Sequence, residues 1–220
     1  MSASAAEWAR LMNQARVKLT GASDAALKGE LFDVMQEFFD ASSGWLETLT
    51  INVLQNVTIY DLVPTEGQAI RIVGVAEVDP ADLSKPPHPR GGTMPNIGQI
   101  VLDTVPGANT TYKVTVAKNV SLPTDNQGFP IVADWTLSVY STGILDGLLG
   151  RMMSVPNKSY SNSSMGVYHL KKFEGVISQL RVATLRANAM GTQAWAFPQT
   201  FSTHSQRGGV SIGSDTSFKS

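Results

Sequence analysis

The residues able to do acid–base or ligand chemistry are few and scattered. Histidine occurs three times, at His88, His169 and His204: in a proline-rich stretch, on a helical face and in a polar tail. None has a second ligand at the close spacing that a metal site needs. Paired carboxylates such as Asp79 and Asp82 lie in turn sequence, where solvated side chains are a plainer reading than a general acid and base. There is no Gly-x-Gly-x-x-Gly run, no phosphate-cradling loop and no Gly-x-Ser-x-Gly elbow. Zero cysteines exclude disulfides, thiolate metal sites and thiol nucleophiles. The expectation is a protein that is not an enzyme, with no metal and no cofactor.

Two other groups of residues suit recognition instead. Between Met165 and Met190 the cations Lys171, Lys172, Arg181 and Arg186 meet a single acid, Glu174. Such a basic helix is a solvated face, an inter-subunit salt-bridge surface or a contact for phosphate. Further on, "TQAWAFPQTF" places Trp195, Phe197, Pro198 and Phe201 between a helix and a polar tail. Trp195 and Phe197 either fold back as core or anchor in pockets of another chain, the usual use of aromatics on an extended segment. Gly191 releases the helix, and Pro198 fixes a bend and lacks an amide donor.

The elements that must position these groups follow from hydrophobic period. Ala5 to Leu19 puts Trp8, Leu11, Met12, Ala15 and Leu19 at helical spacing, with Glu7 early and Arg16 and Lys18 late, as the helix dipole prefers. "TGAS" interrupts it, and Ser23 caps a second helix with Leu27, Leu31, Val34, Met35 and Phe38 on one face, ending near "DASSG". From Trp45 the period falls to about two. "LTINVLQNVTIYDLV", "AIRIVGVAEVD", "GQIVLDTV", "TYKVTVAK" and "DWTLSVY" read as strands of a small antiparallel sheet of four to six. "LSKPPHPRGGTMPN", Leu83 to Asn96, holds four prolines and two adjacent glycines and reads as a long exposed loop. Near Ser141 the helical period returns in "TGILDGLLGRMM", read as a short helix weakened by Gly147 and Gly150; "SVPNKSYSNSS" is a loop. Met165 to Met190 is the longest helix, with Leu170, Phe173, Ile177, Leu180 and Thr184 as its stripe.

The fold class expected is α+β: an antiparallel helical bundle of two N-terminal helices and a long C-terminal helix, a central antiparallel β-sheet region, and an extended tail. In domain terms, residues 1–44 and 141–190 form the helical part, 45–140 the β-rich part and 191–220 the tail.

Composition fits a globular chain of 220 residues, 42% hydrophobic and only 16% charged, below the roughly 25% usual for soluble domains. No run approaches the roughly 18 apolar residues a membrane-spanning helix needs, so the expectation is a soluble protein without membrane contact. Charge is split: residues 1–142 carry 9 Lys/Arg against 15 Asp/Glu, net −6, and residues 143–220 carry 8 against 3, net +5. That asymmetry suits copies packing acidic face on basic face, or a basic surface for nucleic acid.

This layout resembles the head-to-tail adaptor proteins of short-tailed bacteriophages, the tail tubular protein A group and its relatives. Four features carry the resemblance: the amphipathic pair before the sheet, the phrase "IYDLVPTEGQAIRIVGVAEVD", the stretch "ILDGLLGRMMSVPNKSYSN" leading into the long helix, and the terminal "WAFPQTF". The chain departs from the group at Leu83 to Asn96, where many relatives have a plain hairpin. The resemblance implies a structural protein of the virion neck, assembled in the host cytoplasm. It further implies a homo-oligomeric ring, commonly of twelve copies, between the portal protein and the tail nozzle protein, whose lumen passes genomic DNA during ejection. The matching docking positions on the portal would be Trp195, Phe197, Pro198 and Phe201. Two alternatives stand beside it: another virion subunit, of tail tube or baseplate, and a hydrolytic enzyme whose carboxylates come from distant loops.

Overall fold

The computed structural model describes residues 5–78, 87–121 and 128–192, and the fold is α+β with four helices and two antiparallel sheets. Contacts divide the chain into a unit of residues 1–184 and a second of residues 185–220, of which only 185–192 are described. No described helix is long and apolar enough to cross a membrane.

Helix α1 spans Ala5–Lys18 and buries Trp8, Leu11, Met12 and Ala15, the set its period predicts. Helix α2 spans Asp24–Ser42; Ser23 is its N-cap, its hydroxyl accepting from the Ala26 amide, and Ser43 ends it in the left-handed region. Its face of Leu27, Leu31, Val34, Met35, Phe38 and Phe39 is fully buried.

The strands are β1 (Leu46–Val53), β2 (Ile59–Asp61), β3 (Gln68–Val78), β4 (His88–Arg90), β5 (Gly92–Thr93), β6 (Gln99–Leu102) and β7 (Thr110–Asn119). Two sheets replace the single one expected: a four-stranded sheet in the order β1-β7-β3-β4 and a three-stranded one in the order β2-β6-β5. A shared apolar core of Leu62, Ala69, Val75, Ile100, Leu102, Tyr112, Val114 and Val116 joins them. Along β3 the register shifts twice, between Ala69 and Arg71 and between Ile72 and Gly74. Each shift moves the inward face by one residue, which is why neither alternating set of "AIRIVGVAEV" reads cleanly in sequence.

The stretch Leu83 to Asn96 is not wholly a loop. His88–Arg90 pairs with Val75–Glu77, and Gly92–Thr93 pairs with Val101 and Leu102. Pro89 is tolerated because β4 is the outermost strand, so one side of it needs no ladder donor. The adjacent glycines permit close approach, since a Cβ on Gly91 would lie 2.0 Å from an Asp103 carboxylate oxygen.

"DWTLSVY" also differs from its expected state. It is not a strand but the first two turns of helix α3, Asp134–Ser154, 21 residues long. Thr136 and Leu137 are buried while Val139 is 64% exposed, a helical and not an alternating pattern. A seven-residue stretch that carries two aromatic and two β-branched residues suits either state in isolation, and continuity with the turns that follow decides it. Helix α4 spans Ser163–Thr192, and the Asn162 side chain accepts from the Met165 amide at its start.

Within the first unit, α1, α2, α3 and α4 contribute to one apolar core that includes Trp8, Phe38, Phe39, Ile144, Leu148, Phe173 and Leu180. Between the two cores, the Lys118 ammonium of β7 lies 2.6 Å from Glu47 of β1 and 4.2 Å from the centre of the Trp45 ring.

Candidate functional site

Helix α3 carries Gly143, Gly147 and Gly150 at four- and three-residue spacing, which lines them along one face. Opposite them on α4 stand Val176, Phe173 and Leu170, in reverse order, so the two helices run antiparallel and close together. A Cβ on Gly147 would come within 2.9 Å of both Phe173 and Val34; one on Gly150 would lie 2.9 Å from the Leu170 backbone nitrogen. These glycines therefore do not shorten the helix, as the sequence alone implies; they form the notch that seats α4.

At the edge of this notch lies a buried, ion-capable pair that the sequence does not reveal. Asp146 sits next to Gly147 on α3, and His169 Nδ1 donates to its Oδ1 at 2.7 Å, with the side chains 7% and 11% exposed for His169 and Asp146. The available signal was a single carboxylate inside the apolar run "ILDGLLG", since an acid there demands a buried partner. One turn on, the Lys172 ammonium lies 4.8 Å from the Tyr168 ring centre. Its hydrogen bond to Tyr168, and then the Asp146 charge, hold its pKa above the ordinary lysine value. The chemistry of this cluster is cohesive: the imidazole is tied to a carboxylate and enclosed between two helices. Replacing Asp146 with Ala strands the His169 N–H and is expected to lower stability by about 1–3 kcal/mol. Urea unfolding that shows less than about 0.5 kcal/mol of loss would contradict that account.

Lys171, Lys172, Arg181 and Arg186 are all exposed. They do not form one line. Lys172 and Arg181 are nine residues apart, which at about 100° per residue sets them on opposite flanks of the helix. Between and beside them are large apolar side chains left in solvent: Met165 (40% exposed), Val167, Tyr168 and Val182 (45%). Exposed cations interleaved with exposed apolar groups make a sticky face rather than a merely solvated one.

The opposite charge collects on α2. Glu30, Asp33, Glu37 and Asp40 recur at three- and four-residue spacing along one flank. Arg151 of α3 reaches into this row, 2.8 Å from Glu37, 3.6 Å from Glu30 and 3.9 Å from Asp33. One guanidinium against four carboxylates leaves the row strongly acidic. An open groove of about 840 Å³ beside the start of α2 mixes both signs, Lys28 and Lys158 with Glu30 and Asp33.

No protein-family model matches this chain, and no curated protein matches it in sequence.

Of the residues singled out from sequence, His88 lies on the exposed strand β4. Asp79, Asp82 and His204 lie outside the described residues, as do Trp195, Phe197, Pro198 and Phe201. Among the described residues no group of three or more His, Asp or Glu side chains is arranged to hold a metal ion.

Proposed function

We propose that this chain is a structural head-to-tail adaptor of a bacteriophage virion, a ring subunit between the portal protein and the tail nozzle protein. The observation that carries the reading is the presence of two faces of opposite net charge on one fold. The row Glu30, Asp33, Glu37 and Asp40 is acidic, and α4 presents Lys171, Lys172 and Arg181 among exposed Tyr168 and Val182. Complementary patches at different places on one subunit make a head-to-side contact, and such a contact closes into a ring when its rotation divides the circle.

In this reading the helices stand as an antiparallel bundle forming the wall, with the long C-terminal helix at the subunit boundary. Twelve copies enclose a lumen through which genomic DNA passes without sequence-specific contact. Residues 191–220 leave the ring, and Trp195, Phe197, Pro198 and Phe201 fill pockets on the portal. The protein belongs to the neck of the virion after assembly in the host cytoplasm, without catalytic work.

Native mass spectrometry and electron microscopy of the chain with and without a portal ring from the same phage test this. A ring seated on the portal, and lost on deletion of residues 191–220, is the expected result. Binding that survives the deletion sinks the docking role of the tail, and a chain that never associates with the portal sinks the adaptor reading itself.

A further inference from the structure

The two edges of the four-stranded sheet are finished in different ways. On one side stands β4, three residues long, containing Pro89 and tied to β3 by Arg90, whose guanidinium donates to Glu77 at 2.8 Å. Short length, proline and charge are the usual means of stopping further strands from adding to an edge. On the other side stands β1, eight residues of sequence LETLTINV, paired with β7 along its whole length. Among the described residues no strand pairs its outer edge. It contains no proline or lysine. Its one charge, Glu47, is turned inward onto Lys118 and Thr65, so it guards nothing.

The inner face of β1 is also left incomplete. Val114 and Tyr112 of β7 are 0% and 5% exposed, whereas their β1 partners Leu49 and Ile51 are only half-buried. The difference has a geometric cause: β7 has a strand on each side, and β1 has one. A further strand with apolar residues at the same alternation would cover both side chains and use the free backbone groups.

We infer that the outer edge of β1 pairs antiparallel with β1 of a second copy of this chain, joining two four-stranded sheets into one of eight. The sequence of β1 is self-complementary in one register. With Thr50 opposite Thr50, Leu49 faces Ile51 and Ile51 faces Leu49 on the inner side, while Thr48 faces Asn52 on the outer side. All seven residues from Glu47 to Val53 take part. In this register Glu47 stands at each end of the pairing, opposite Val53; shifting the two-fold axis to Leu49 moves it inward, opposite Ile51, and axes displaced by half a residue oppose inner to outer side chains. One strand pair buries well under the roughly 1,000 Å² of a stable interface, so the contact is weak and depends on concentration. It closes at two copies, being isologous, and is independent of the ring interface proposed above.

The chain has no cysteine, so one introduced thiol reports the contact without background. Thr50 is exposed, and directly opposed residues of an antiparallel pair lie roughly 4.5–5.5 Å apart at Cα, within disulfide range. Under mild oxidation, Thr50→Cys is expected to form a covalent dimer at least about tenfold faster than Thr115→Cys. Thr115 is on the neighbouring strand, and three strand spacings of about 4.8 Å would separate it from its mate. In parallel, Thr50→Lys sets like charges face to face and is expected to abolish the dimer seen by sedimentation of the full-length chain at tens of micromolar. Equal cross-linking of the two cysteine variants, or an unchanged dimer population in Thr50→Lys, overturns the inference. Neither result bears on portal binding, which tests the adaptor reading separately.

Discussion

Gly150→Ala is expected to lower stability by about 1–3 kcal/mol, while Gly175→Ala, the same chemical change on the partner helix, raises it by about 0.4–1 kcal/mol. Both glycines lie inside helices, so both gain up to about 1 kcal/mol of helix propensity from the added methyl. What differs is the space. A Cβ at Gly175 meets nothing within 4 Å. At Gly150 it lies 2.7 Å from Leu170 Cγ and 2.9 Å from the Leu170 backbone nitrogen, and backbone cannot step aside as a side-chain end can. Relief requires α4 to move away from α3, which opens the packing around Phe173, a residue with 0% exposure. Urea denaturation of the two variants checks this directly, and midpoints that shift the same way would show that the notch is not what seats α4.

Glu47→Ala is expected to cost about 3–5 kcal/mol near neutral pH. Lys118 is only 6% exposed in its side chain and lies 2.6 Å from Glu47, so deleting the carboxylate leaves an ammonium enclosed with only the Trp45 ring for company. Adding Lys118→Met removes the stranded charge and is expected to restore much of the loss. A double variant as unstable as the single one would refute the charge-based explanation. Acid supplies a second check. Burial pushes the Glu47 pKa up, but hydrogen bonds from Lys118 and from the Thr65 hydroxyl and amide outweigh it and hold the value below the ordinary 4.5. A depressed carboxylate stabilises the fold above its unfolded value, and that contribution is lost as pH falls through the folded one. The gap between wild type and Glu47→Ala is therefore full above about pH 4.5 and narrows below it. A gap that widens on acidification would reverse the sign assigned here.

Both predictions rest on contacts between residues far apart in the chain, and the same distinction separates what reading the sequence achieves from what it does not. The first two helices are legible because their information is local. Trp8, Leu11, Met12 and Ala15, then Leu27, Leu31, Val34, Met35 and Phe38, repeat at 3.6 residues, and Ser23 supplies the cap. The strands β1, β6 and β7 read as well, because their alternation is local too. Failure sets in where local signals are ambiguous. "DWTLSVY" satisfies a strand and a helix equally, and the bulges in β3 blur its alternation.

The candidate site divides in the same way. The basic residues of α4 are visible as types at fixed positions, whereas the acidic row of α2 shows in sequence only as the net negative charge of residues 1–142. By itself the sequence determines an α+β chain with two amphipathic helices first. Only the tertiary structure decides that Gly143, Gly147 and Gly150 are a seat and not a weakness, that Asp146 meets His169, that Arg151 enters the acidic row, and that β4 is a finished edge while β1 is a bare one among the described residues. Each of those outcomes depends on which surfaces come within a few ångströms of each other. Such distances are set by how whole elements pack, and helical or strand period is silent about them.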